Sequence, residues 1–312
     1  MGKYLRLFDT ETAYTESRNS DYIEPWASYI ISIERVDYNK PDYKKMMFTI
    51  KALGSGDITW SLNDKTLQYQ KNGGQWQTMD SGVTLSVVDG DEIRFKGTNT
   101  GYCGNTISST AQIMAMGNIM SLTDGNNFES ANTLQTTKVF QSLFSGCQNL
   151  MSVEDLKLPV TALTESCYSS MFSRCGFSVA PELPATSLAY GCYAYMFQMC
   201  PNLTQAPELP AMTLAQSCYA RMFNGCTSLE TAPDLLAISL PSSAYQYMFD
   251  GCTKLNYVKA LFTTSPSTGN CTQYWLRNVS STGTFVKNSS ATWTTSGYNG
   301  VPSGWTIQTV TP

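Results

Sequence analysis

The stretch Cys218-Tyr219-Ala220-Arg221-Met222-Phe223-Asn224-Gly225-Cys226-Thr227-Ser228-Leu229 decides how the chain is read, because its apolar pattern returns six times between Val139 and Val279. At positions i, i+1, i+4, i+5 and i+8 the copies begin with Val139/Phe140/Leu143/Phe144/Cys147, Cys167/Tyr168/Met171/Phe172/Cys175 and Cys192/Tyr193/Met196/Phe197/Cys200. Cys218/Tyr219/Met222/Phe223/Cys226, Ala244/Tyr245/Met248/Phe249/Cys252 and a degenerate Cys271/Trp275/Leu276/Val279 follow. Their starts lie 28, 25, 26, 26 and 27 residues apart, a period that marks stacked units of a solenoid. Residues four apart are neighbours on a helical face, so each copy is expected to form one short buried helix of about two turns.

After each such run comes a proline-containing segment, Asn-Leu-Thr-Gln-Ala-Pro-Glu-Leu-Pro at 202–210, with counterparts at 177–184 and 229–236. Proline cannot sit inside a helix, so these segments read as extended, with Leu203, Ala206 and Leu209 pointing inward. One unit cannot bury its apolar face alone. Stacking is therefore expected to place Phe172, Phe197, Phe223 and Phe249 in one ladder.

The whole cycle, Leu-x-x-Ala-Pro-Glu-Leu-Pro-Ala-x-x-Leu-Ala-x-x-Cys-Tyr-x-x-Met-Phe-x-Gly-Cys, resembles the BspA-type (Treponema-type) leucine-rich repeats of surface proteins from gut Bacteroidetes and their phages, over roughly residues 135 to 280. The resemblance implies a curved right-handed solenoid with a parallel sheet, used for adhesion or ligand binding and without catalysis. The opening Tyr-Leu-Arg-Leu-Phe-x-Thr and the later Ser28-Tyr29-Ile30 resemble the N-termini of Bacteroidetes phage virion proteins, where this end attaches the protein to the particle. Together they lead us to expect a non-enzymatic phage appendage or fibre component that recognises a bacterial surface and is located on the virion. The alternative is a leucine-rich-repeat adhesin on the surface of a gut bacterium. Expected partners are a cell-surface polysaccharide or protein, other virion proteins in the phage case, and a second copy of the chain.

Composition narrows the remaining classes. Of 312 residues 14% are charged, the net charge is −4, and histidine is absent. Nucleic-acid and acidic-membrane partners need basic patches that this balance does not supply. No run approaches the roughly 18 apolar residues of a membrane span, and the first residues contain no apolar signal-peptide core. Without histidine, a Gly-x-Ser-x-Gly elbow or a phosphate-binding glycine loop, the chain offers little for general acid–base or nucleophilic chemistry. Most of the ten cysteines occupy positions i or i+8 of the repeat, where a thiol acts as a small apolar filler. There is no Cys-x-x-Cys, so no metal site or cofactor is expected.

Read in order, the chain is expected to be a mixed α/β multidomain protein. Residues 1–45 carry 15 charged residues, a third of the segment, and form an N-terminal arm or small attachment domain with strands at 4–8 and 27–33 and a short helix at 10–17. Over 46–122, short alternating runs (48–53, 58–60, 67–69, 76–79, 83–88, 93–95) separated by turn residues suggest an immunoglobulin-like β-sandwich. Asn72-Gly73 is placed to make its tightest hairpin, and Asp89-Gly90-Asp91 is a turn whose carboxylates have Ca²⁺ binding as an alternative role. The leucine-rich-repeat-like solenoid follows over 123–280, and short strands at 281–312 close it as a β cap.

Two rows of residues are candidate binding surfaces. Glu182, Glu208 and Asp234 recur at one place in the extended segments and should stack at the strand spacing of about 4.8 Å. Position i+3 of the expected helices varies between copies as Ser170, Tyr195, Arg221 and Tyr247, and aromatic and arginine residues are enriched at binding hot spots. The sheet face with its acidic column is the expected site of the two, because parallel strands present side chains in register. Four glycosylation sequons, at Asn202, Asn270, Asn278 and Asn288, are no more than this Asn/Ser/Thr-rich composition produces by chance.

Overall fold

In the computed structural model, residues 41–61, 67–80, 82–99, 101–102, 105–293 and 297–311 are described. The expected arm lies outside these residues, apart from a 3-10 turn at Tyr43–Lys45. Residues 42–312 form one compact unit with a continuous apolar core.

Alternating sequence becomes paired strands between Met47 and Asn118. Strands β1 (Thr49–Ala52), β3 (Gln68–Lys71), β4 (Gln77–Thr78), β6 (Glu92–Lys96) and β8 (Ile113–Asn118) form an antiparallel array in the order β8-β1-β6-β3-β4. A second antiparallel sheet has the order β5-β2-β7, from β2 (Gly56–Trp60), β5 (Thr84–Val87) and β7 (Ile107–Ser109). Period-two alternation sends Phe48, Ile50, Ile58, Trp60, Ile93 and Phe95 inward, all fully buried. Trp60 meets Phe95 edge-on at 5.1 Å between ring centroids. Asn72 and Gly73 take φ of 50° and 70°, and Tyr69 pairs with Gln77 across the hairpin they make. The Asp91 carboxylate accepts hydrogen bonds from Lys71 Nζ, Asn72 Nδ2 and the Val88 N–H. Those bonds, led by that from Lys71, hold its pKa down to about 2.

The expected fold class, mixed α/β with a leucine-rich-repeat-like solenoid, is overturned. The described residues are mostly β, with 24% strand and 6% helix arranged around three small sheets. The one α-helix among the described residues, α1, is the single turn Ser121–Asp124. None of the six repeat copies contains one. Their apolar runs are chains of tight turns in which every fourth residue is left-handed. Six copies with corners at i−1, i+3 and i+7 give eighteen such positions, and all eighteen have positive φ, fourteen of them in residues other than glycine. Between corners, N–H groups alternate. In the copy beginning at Cys167, the N–H of Ser169, Met171 and Ser173 each donate three residues back, to Ser166, Tyr168 and Ser170. Tyr168, Ser170 and Phe172 instead donate to Cys192, Ala194 and Met196 of the next copy. A helix spends every N–H within itself. Here half of them join copy to copy, and a strict four-residue period replaces 3.6.

The stacking itself forms as the repeat suggests. Phe144, Phe172, Phe197, Phe223 and Phe249 lie ring on ring at 5.5 to 5.8 Å. A second column runs from Tyr102 through Phe140, Tyr168, Tyr193, Tyr219 and Tyr245 to Trp275 at 5.8 to 6.4 Å. Both columns start in the β region, at Phe48 against Phe144 and at Tyr102 against Phe140. The sheet is shared as well: β8 pairs in parallel with β9 (Leu150–Ser152) and β10 (Leu156–Lys157) of the first copy. The nine described cysteines are free and buried at repeat positions. Cys175, Cys200, Cys226 and Cys252 each direct Sγ at a phenylalanine carbonyl of the copy before, 3.0 to 3.1 Å away.

β11 (Tyr257–Ala260), β12 (Gly283–Asn288) and β13 (Trp305–Val310) form a parallel sheet, continuing the direction of stacking. Gly283 and Gly304 sit where an added Cβ would come within 2.5 Å of the Asn256 and Ser281 carbonyls, so glycine is required for this close approach.

Candidate functional site

The left-handed corners at i+3 build the most distinctive surface of the molecule. In the first two copies they are Ser142 and Ser170, and in the next four Tyr195, Arg221, Tyr247 and Tyr274. Large side chains rarely adopt left-handed backbone, which costs roughly 1–2 kcal/mol per residue through the clash of Cβ with the following carbonyl. These four hold φ between 54° and 61°. Their side chains form one file. The Arg221 guanidinium lies 4.0 Å from the Tyr247 ring centroid and 5.8 Å from that of Tyr195. Tyr247 stacks on Tyr274 at 5.2 Å, and Tyr274 on Tyr298 at 5.0 Å. Backbone register extends to this fifth member, since Tyr274 N–H donates to the Tyr298 carbonyl. Tyr298 is 63% exposed and Tyr195 37%.

A polar ladder at i+6 runs beside the file. Gln198 Nε2 donates to Asn224 Oδ1 at 3.0 Å, and Asn224 Nδ2 to the Asp250 carbonyl at 2.8 Å. The buried Asp250 carboxylate then accepts a two-pronged bond from Arg277, Nε at 2.9 Å and an Nη at 2.6 Å. A bidentate arginine–carboxylate pair fixes the guanidinium plane. Held this way, Arg277 lies over Tyr274 at 4.8 Å and Tyr247 at 5.5 Å. The file ends in an open cleft of about 670 Å³, with Tyr274, Arg277, Tyr298, Trp305, Ser280, Ser281 and Ser303 among its lining residues. Among the described residues no aspartate or glutamate lines it.

The acidic column also forms, but it has ends that the sequence reading did not include. Glu182, Glu208 and Asp234 occupy equivalent places in consecutive extended segments, all exposed. Lys157 precedes them and pairs with Glu182 at 3.2 Å, while Lys259 follows them and pairs with Asp234 at 2.7 Å. Read down the stack, the column is therefore plus, minus, minus, minus, plus. Two of its three carboxylates already have partners. The structure thus brings Tyr195, Arg221 and Tyr247 into mutual contact, and brings Glu182, Glu208 and Asp234 into a column that is closed at both ends.

Tyr274, Tyr298 and Arg277 were absent from the sequence-derived candidates. Tyr274 stands at i+3 of the degenerate copy, so spacing alone could have found it. Tyr298 lies beyond the last recognisable copy, and only three-dimensional stacking places it.

Among the described residues no three His, Cys, Asp or Glu side chains group to hold a metal. Burial pushes the repeat thiols up, to about 11 for Cys147 and about 12 for Cys192, Cys200 and Cys252, so they are protonated and poor nucleophiles. No family model, no curated protein and no solved structure matches the chain.

Proposed function

We propose that the protein is a non-catalytic recognition protein of the bacterial surface, acting as a phage appendage or fibre component, and that the file of Tyr195, Arg221, Tyr247 and Tyr274 is its binding face. One observation carries this reading. The same corner accepts serine at Ser142 and Ser170, and the twelve corners at i−1 and i+7 hold glycine, serine or asparagine at all but Lys138, Arg174 and Met199, yet at i+3 four consecutive copies place bulky side chains in left-handed backbone. Stacking among these half-buried rings offsets about 0.5–1.5 kcal/mol per contact, no more than the strain takes away. Stability therefore gives these residues no advantage, whereas strained, outward-facing aromatic and arginine side chains are what a contact surface needs.

The phage assignment rests on the N-terminal resemblance, and a surface adhesin of the bacterium itself is the second reading. Immunogold labelling separates them: label on purified particles supports the first, and label on uninfected cells the second. The binding face is tested by changing Tyr195, Tyr247 and Tyr274 together to Asn, which tolerates left-handed backbone. Full-length wild type and variant, fluorescently labelled, are compared on a panel of gut Bacteroidetes strains. The variant should melt within a few degrees of the parent while losing at least about tenfold in cell binding. Undiminished binding by a folded variant refutes the assignment of this face.

A further inference from the structure

Charge is distributed unevenly between the two kinds of segment. The six turn segments, from i−2 to i+8 of each copy, hold Lys138, Arg174, Arg221 and Arg277 against Glu165 and Asp250, a net charge of +2 in a chain of net −4. The extended segments that join them hold Glu154, Asp155, Glu182, Glu208, Glu230 and Asp234 against Lys157, Lys254 and Lys259, a net −3. Asp250 is covered by Arg277, which leaves Glu165 as the exposed carboxylate of the turn face. Lys138, Arg174 and Arg221 all stand on left-handed corners, and none has a carboxylate partner among the described residues.

We infer that the ligand of the turn face is an acidic polysaccharide, lying along the corner file with a sugar unit seated in the cleft at Tyr298. This deepens the recognition function proposed above and rests on it. Three features select the class. Free cations in three of the six copies, Lys138 at i−1, Arg174 at i+7 and Arg221 at i+3, give the turn face a positive charge that steers an anionic polymer to it rather than to the acidic face. The cleft is of a size that encloses small ligands, and its aromatic walls, serine hydroxyls and lack of carboxylates suit a hydroxyl-rich, negatively charged ring. Single-stranded nucleic acid, the other polyanion that uses aromatic platforms, fits less well. Its bases stack on free ring faces, whereas Tyr247, Tyr274 and Tyr298 stand only 5.0 to 5.2 Å apart and cover one another.

The test uses the full chain in biolayer interferometry against immobilised polygalacturonate, alginate and hyaluronate, each beside its carboxyl-reduced counterpart, with an oligothymidylate as a further probe. Binding to at least one acidic polymer, loss of binding on carboxyl reduction, and weakening with added salt are expected. Arg221→Gln should reduce affinity about tenfold or more, and Arg221→Lys should restore part of it, since the charge returns without the planar fork. Equal binding to the carboxyl-reduced polymers, or tighter binding to the oligonucleotide, overturns the inference. So does failure on every acidic polymer by protein that still binds cells, a result that leaves the recognition function standing. Failure on polymers and cells alike removes both.

Discussion

Ser170 offers a clean discrimination between a chain of left-handed corners and a helix. Its φ is 56°, its N–H donates to Ala194 of the next copy at 2.9 Å, and its carbonyl accepts from Ser173 at 3.1 Å. A substitution there tests backbone preference and little else. In a helix, glycine is about 0.8–1.0 kcal/mol worse than alanine. In a left-handed corner the order reverses, because alanine keeps a Cβ clash of roughly 1–2 kcal/mol that glycine lacks. Glycine's greater freedom in the unfolded chain offsets about 0.4–1 kcal/mol of this. Ser170→Gly should therefore exceed Ser170→Ala in stability by about 0.5–1 kcal/mol. In urea denaturation followed by tryptophan fluorescence, with a slope of about 3 kcal/mol per molar, that separates the midpoints by roughly 0.2–0.3 M. A midpoint for Ser170→Ala above that of Ser170→Gly would refute the corner geometry and restore the helix.

Phe197 is fully buried between Phe172 and Phe223 at 5.8 and 5.6 Å, so Phe197→Ala should destabilise by about 3–5 kcal/mol through the cavity left mid-stack; a loss under about 1 kcal/mol in the same titration would deny the ladder. The repeat thiols should stay silent to Ellman's reagent in native protein at pH 8 and react fully in denaturant, and rapid native labelling of several would contradict their burial. Because the folded thiols keep protons that unfolded ones lose above about pH 8.5, the native state binds more protons there, and stability should fall as pH rises beyond that value; a flat profile between pH 8 and 10 would contradict it. Changing Glu182, Glu208 and Asp234 together to Ala removes two exposed ion pairs and two like-charge neighbours, so stability should move by less than about 1 kcal/mol and cell binding should persist; lost binding would move the site to the acidic column.

Much of this was legible in the sequence, with one consequential error. The strands around Phe48, Trp60 and Phe95 and the Asn72-Gly73 hairpin follow directly from alternation and turn chemistry. The repeat and its phenylalanine ladder follow from spacing. The helix did not, because i, i+4 and i, i+1 neighbours occur both on a helix and on a four-residue chain of turns. Two signals separated them. All six copies keep i, i+4 and i+8 in strict register, whereas a 3.6-residue helix drifts by about 80° over eight residues. Glycine also recurs at i+7 (Gly146, Gly225, Gly251), and serine recurs at i−1 (Ser166, Ser217, Ser243). Strand direction was hidden as well. Alternation at Gly283–Asn288 and Trp305–Val310 reveals strands without saying that they run parallel and extend the stack. The candidate site was half legible: Tyr195, Arg221 and Tyr247 could be read from their variable position, although the sequence reading favoured the acidic column of Glu182, Glu208 and Asp234. The lysine ends of the acidic column at Lys157 and Lys259 came only with register, and the continuation to Tyr298 only with stacking.

Where the ligand lies is most directly measured by hydroxyl-radical footprinting of the protein alone and bound to cell-surface polysaccharide from a strain it recognises. Tyr195, Met199 and Tyr298 are exposed on the turn corners and the end of their file, while Met151 and Met212 are exposed on the extended segments. The account predicts that bound ligand lowers oxidation at Tyr195, Met199 and Tyr298 and leaves Met151 and Met212 unchanged. Protection of Met151 and Met212, with the corner residues oxidised as fast as in free protein, would contradict it.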